Sequence, residues 1–162
     1  MDAVHAIYKH YVLNSVATFE EIVPSVSEMT NRWRALAEQG LPYLIATDPS
    51  DAPLGYAYAA LYRTRVAYRA TLEDTIYLAP DAVGHGLGAA LLAELIDQAE
   101  TVGARQMVGV IAGANEASVS VHRGAGFQTV GVLKAVGFKF GAWVDTTLMQ
   151  RPIGSGAKSP LS

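Results

Sequence analysis

A mixed α/β layer, with a twisted central sheet of about six to seven strands and helices on both faces, is the fold class this sequence predicts. Two observations carry it. Apolar periodicity alternates between helical and strand spacing in the order ααββ-β-α-β-α-ββ. A glycine loop, residues 83–88, joins a β-branched strand to a long amphipathic helix. With 162 residues, 51% of them apolar, the chain is long enough for one domain with a substantial core.

The elements follow in order. Asp2 can cap a first helix whose apolar face is Val4, Ile7, Tyr8, Tyr11 and Val12, spaced at i, i+3, i+4, i+7 and i+8. Residues 14–19 are a loop. Ser25 opens a second helix that runs to Gln39 and stops at Gly40. Residues 43–47 and 55–62 are strands joined by the turn chemistry of 48–53. Arginines 63, 65 and 69 fall in a connector, and 71–78 is the next strand. Residues 86–102 form a helix with Leu87, Leu91, Leu92, Leu95, Ile96 and Ala99 as its buried stripe. A strand at 106–111 leads to a helix from Asn115 to Ala125, with Asn115 as cap and Glu116 favourable in the first turn. Strands at 129–138 and 143–149 make the last hairpin. Residues 1–150 are expected to be a single domain, and 151–162, rich in Gly, Ser, Pro and Lys, a flexible tail.

Composition excludes several functions. A net charge of −3 argues against nucleic acid as the main partner. The absence of cysteine removes disulfides, thiolate metal sites and a thiol nucleophile, and no metal is expected. No apolar run approaches the length of a membrane span, and no signal segment opens the chain, so a cytoplasmic protein without a membrane partner is expected.

The glycine loop points to a phosphorylated ligand, because glycines at a strand-to-helix junction leave the first helical amides aimed at an anion. Two patterns compete. Gly84-His-Gly-Leu-Gly-Ala89 fits the dinucleotide fingerprint G-x-G-x-x-A, but it lies mid-chain and the following strand ends without a carboxylate for a ribose. The P-loop pattern is absent. The other candidate is the acyl-CoA loop Q/R-x-x-G-x-G/A, which Val83-Gly-His-Gly-Leu-Gly88 matches in its glycines but not at Val83, a position that acts through its amide.

With that loop, the chain resembles the GCN5-related N-acetyltransferase superfamily, and within it the phosphinothricin and methionine-sulfoximine N-acetyltransferases. The segments at 6–12, 73–77, 115–122, 124–127 and 136–143 carry the resemblance, which spans about residues 2–150. Similar proteins have about ten residues before the first helix, forming a first strand. Here the chain starts almost on the helix, so either the start lies upstream or that strand is missing.

The resemblance implies acetyl-CoA as co-substrate, a small amino-acid-like amine as acceptor and a homodimer. It implies Glu73 as the base that takes the amine proton. Its alternative is a strand glutamate paired on the surface, although a carboxylate in an apolar strand is an odd placement. His122 would donate to or accept from the reacting groups, or else be a half-buried helix histidine. Backbone groups of Ile76, Tyr77 and Leu78 would bind the pantetheine arm and the oxyanion. Gly84, His85, Gly86, Leu87, Gly88 and Ala89 would bind phosphate, with Asn115 touching the cofactor or serving as a plain cap. Tyr68 and Arg69 would recognise a substrate carboxylate, Arg through its planar fork, or else solvate a loop. Phe19 would wall the pocket. Lys139 and Trp143, in the last hairpin, would close it or pack at an interface, with Trp143 more often a core residue. A non-catalytic acyl-CoA-binding module and a peptide acetyltransferase remain as alternatives.

Overall fold

The computed structural model describes residues Met1–Leu161. Six strands form one sheet: β1 (Tyr43–Thr47), β2 (Pro53–Leu61), β3 (Thr71–Leu78), β4 (Gln106–Ala112), β5 (Gln128–Lys139) and β6 (Ala142–Pro152), in the order β1-β2-β3-β4-β6-β5. All pairs are antiparallel except β3 with β4. Four helices cover it: α1 (Asp2–Asn14), α2 (Val26–Glu38), α3 (Leu87–Thr101) and α4 (Glu116–Gly124).

Two apolar clusters, one per face, hold the layers together. On one face the α3 stripe Leu91, Leu92, Leu95, Ile96 and Ala99 packs on Leu72, Met107, Met149 and Phe127. Leu92 and Leu95 are fully buried, each worth roughly 1.5–3 kcal/mol on transfer from water. On the other face Val4, Ile7, Tyr8 and Val12 of α1 meet Met29 of α2 and Tyr56 of β2. Ser25 caps α2 by accepting from the Glu28 amide, as its position predicts. Asp2 is not the cap of α1: Met1 stands there, and Asp2 lies in the first turn, where its charge suits the helix dipole.

Two further expectations are corrected. The chain does not leave the body at residue 151. β6 runs to Pro152, Ile153 is fully buried, and Arg105 donates to Ser159 Oγ (3.0 Å) and Pro160 O (3.3 Å). Trp143 is not core; it is 68% exposed, edge-on to Phe138 at 5.1 Å between centroids. At the far side of the sheet β1 is an edge strand, with no further strand outside it among the described residues.

Candidate active site

The sheet opens at β3 and β4, the only parallel pair among the described residues. β3 and β4 pair from Thr71/Gln106 to Asp74/Gly109 and then separate, while β3 continues on β2 to Leu78 and β4 continues on β6 to Ala112. Ladder parity says which peptide groups face the gap. Tyr62 N–H donates to Thr71 O, and Ala79 N–H to Leu54 O, so odd-numbered β3 residues spend their backbone bonds on β2. Ile76 and Leu78 therefore turn theirs toward the opening, and Tyr77 does not. Tyr11 Oη donates to Leu78 O at 2.8 Å, which leaves both groups of Ile76 and the Leu78 amide unclaimed. Buried peptide groups do not stay unpaired without cost, so this fork is built to receive a strand-like ligand.

A cavity of about 250 Å³ sits in the fork, lined by Ala17, Thr18 and Phe19 from the α1–α2 loop, Glu73 to Tyr77, Val110 to Ala112, Asn115, Ser118, His122 and Thr146. Alternation along β3 sends Glu73 to the α1 face and Asp74 to the α3–α4 face, so two adjacent carboxylates flank the fork. Burial, then the charge of Asp74, pushes the Glu73 carboxyl above its ordinary range, and Arg63 opposes the shift. A carboxylate so raised is a stronger proton acceptor than a solvated one.

His122 is buried and both ring nitrogens are engaged: Nδ1 donates to Ser118 O at 2.7 Å, and Nε2 lies 2.9 Å from Asp74 Oδ2. Burial alone would lower its pKa; the Asp74 hydrogen bond and charge, with the Ser118 carbonyl, outweigh it and raise the value. Phe127 meets the ring edge-on at 5.1 Å. Gly109 forms its floor: a Cβ there would stand 2.8 Å from Cδ2 and 3.0 Å from Nε2. Gly109→Ala is thus expected to displace the imidazole, costing about 1–3 kcal/mol and most of any turnover; thermal unfolding and kcat together check this.

At the mouth of the fork the glycine loop is exposed, with positive φ at Gly84 (88°) and Gly86 (80°). Gly86 stands at the N-cap of α3 with no side-chain cap, so the amides of Leu87, Gly88 and Ala89 are free for an anion, with His85 beside them. The Val83 side chain is 52% exposed, consistent with a position that acts through its backbone. Asn115 caps α4, accepting from Ser118 N–H at 3.0 Å, and also lines the cavity. The unpaired Ile76 groups and this open loop fit an acyl-pantetheine arm with phosphates at its far end. Among the described residues no His, Asp and Glu group gathers for a metal.

Three predicted residues are not brought to the cavity. Tyr68 packs edge-on against Tyr62, and Arg69 Nη1 reaches only Val66 O at 3.4 Å. Arg63, stacked over Tyr62, is the arginine whose charge acts on Glu73. Lys139 is 1% exposed, and its Nζ donates to Ser15 O (2.8 Å) and Thr18 O (2.7 Å). It pins the loop whose Phe19 ring lies over Gly137. Sequence reasoning missed Asp74 and Thr146. The signal for Asp74 was parity: it shares the face of Leu72 and Ile76, where a charge needs a partner.

A forked parallel pair with free amides, a glycine loop on a helix N-terminus and a carboxylate raised in the fork define an acyl-transfer enzyme. The chain belongs to the GNAT acetyltransferase family: residues 1–148 match the acetyltransferase (GNAT) domain. It is an acetyl-CoA-dependent N-acetyltransferase. It is 48% identical to phosphinothricin N-acetyltransferase of Alcaligenes faecalis, over 96% of this chain and 79% of that protein. It is 37% identical to the L-methionine sulfoximine/L-methionine sulfone acetyltransferase of Pseudomonas paraeruginosa, over 96% of this chain and 90% of that one. A phosphinothricin acetyltransferase from Sinorhizobium meliloti, solved with acetyl-CoA, superposes with a TM-score of 0.97 at 46% identity, covering 99% and 87% of the two chains.

Proposed function

We propose that this enzyme acetylates the amine of a small amino-acid-like acceptor of the phosphinothricin or methionine sulfoximine/sulfone type. The supporting observation is the small cavity at the fork, walled by Thr18 and Phe19 on a loop that Lys139 ties down. A peptide would need an open groove there. Glu73 takes a proton from the acceptor ammonium, whose α-amino pKa is about 8 in model peptides. The Ile76 amide donates to the carbonyl oxygen of the acetyl group as charge gathers on it. The Asp74–His122 pair, on the other side of the fork, supplies the proton to the departing thiolate. Acetyl-CoA provides the activated acyl group.

The acceptor carboxylate is met by an arginine of the 63–69 connector. Arg63 is the better candidate, since it already bears on Glu73. Arg63→Ala should raise KM for carboxylate-bearing amines about tenfold or more and move the acid limb of kcat upward, because the charge opposing the Glu73 shift is gone. Arg69→Ala should leave both nearly unchanged; the reverse ranking in KM would assign the clamp to Arg69.

A homodimer suits the face of the last hairpin, where Val130, Val132, Phe138 and Trp143 are each 45% or more exposed. The cytoplasm is the compartment proposed for the reaction. The substrate class is tested by free-thiol release from acetyl-CoA with phosphinothricin, methionine sulfone, plain amino acids, a polyamine and a peptide. Turnover confined to amino-acid-like amines is expected. Equal or faster turnover of the peptide would overturn the assignment.

A further inference from the structure

We propose that Asp74 is the positioning residue of His122, fixing which imidazole nitrogen holds the exchangeable proton and keeping that nitrogen at the cavity wall. This rests on the proton-donor role given to His122 above.

The geometry leaves little freedom. A carbonyl oxygen only accepts, so the 2.7 Å contact with Ser118 O commits Nδ1 to carrying a hydrogen. Nε2 is then the nitrogen that can gain or lose a proton, and its partner is Asp74 Oδ2 at 2.9 Å. A hydrogen on Nε2 therefore lies between the imidazole and Asp74 Oδ2. Phe127 at its edge and Gly109 beneath it pack the ring in this orientation.

Fold stability does not account for the arrangement. Asp74 Oδ1 is buried with no hydrogen-bond partner among the described residues. A buried ion pair with an orphaned oxygen stabilises no better than an apolar pair of similar volume. Among the described residues the Asp74 side chain bonds to the imidazole alone. The groups facing that ring are Asp74 from β3, the carbonyl and hydroxyl of Ser118 from within α4, the uncharged Gly109 of β4, and Phe127. Glu73 points from the opposite face of β3. Asp74 is therefore the charge that sets whether Nε2 is protonated.

The test uses the full chain labelled with ¹⁵N-histidine, titrated by NMR as wild type and as Asp74→Asn, with His122→Gln assigning the resonance. The aspartate bond and charge raise the imidazole pKa against burial, so removing them leaves burial in control and the midpoint must fall. The wild-type ring should stay protonated above the ordinary histidine range of about 6.5, and D74N should titrate at lower pH than the wild type. kcat should drop on the order of 100-fold, with KM for the amine within about threefold. Because Asp74 acts through His122, the D74N/H122Q double variant should be no slower than H122Q alone. An unchanged midpoint in D74N, or losses that multiply in the double variant, would overturn the proposal. Absence of turnover in the wild type would instead sink the function proposed above, and the titration would still decide Asp74.

Discussion

Glu73→Gln is expected to lower kcat by about 100-fold or more at neutral pH, with KM for acetyl-CoA nearly unchanged. Glutamine keeps the shape and cannot accept the ammonium proton. The variant should also be at least as heat-stable as the parent. The glutamate carboxylate is half-buried and repelled by Asp74, so its charged form is disfavoured in the folded chain. Replacing it with a neutral isostere removes that penalty, an activity–stability trade familiar at catalytic sites. The pH dependence has a definite sign. Because the carboxyl is raised, wild-type kcat should climb through a limb above the ordinary glutamate value of about 4.3, and the variant should lack that limb. Rates over pH 4–9 and thermal unfolding of both proteins are the measurements. An unchanged kcat would remove Glu73 as the base.

Lys139→Met should cause the largest loss of stability, about 2–4 kcal/mol, since two carbonyls lose their donor inside the fold. Methionine keeps the apolar stem of lysine and is one atom shorter, so little of the effect is a cavity. It carries no ammonium to donate to Ser15 O and Thr18 O. The loop they hold carries Phe19 onto Gly137, where even a Cβ would stand 2.3 Å from the ring. Loosening it should raise KM for the amine more than it lowers kcat, because the wall moves and Glu73 stays. Denaturant unfolding and steady-state kinetics check both parts. A drop in kcat at constant KM would mean that Lys139 reaches the reacting groups.

The elements that place the site were legible because they are local. The apolar stripe of α3, the β-branched run of β3 and the glycines between them specify strand, loop and helix without reference to the rest of the chain. The fork itself follows only from pairing, which decides that Ile76 and Leu78, not Tyr77, face the opening. Asp74 and His122 are 48 residues apart, and their meeting depends on α4 packing on β4, the strand beside β3. The Lys139 contacts span 124 and 121 residues and convert an expected pocket residue into a buried clamp. The connector misleads for a related reason. Proximity in sequence to Glu73 favours Arg69, but after the short turn at Val66–Tyr68 its Nη1 lies on Val66 O, and Arg63 is the arginine that acts on the carboxylate. Composition misjudges the tail, because it cannot see that Ile153 and the Arg105 contacts hold it to the body.

Direct transfer of the acetyl group is best tested by a single-turnover experiment with enzyme in excess over carbonyl-¹³C acetyl-CoA, with methionine sulfone as acceptor, followed by NMR. The label should pass straight to the α-amine as an amide carbonyl, with no label on the protein at any time. Label held on the protein, or left on the coenzyme while the acceptor is saturating, would contradict direct transfer in the β3–β4 fork.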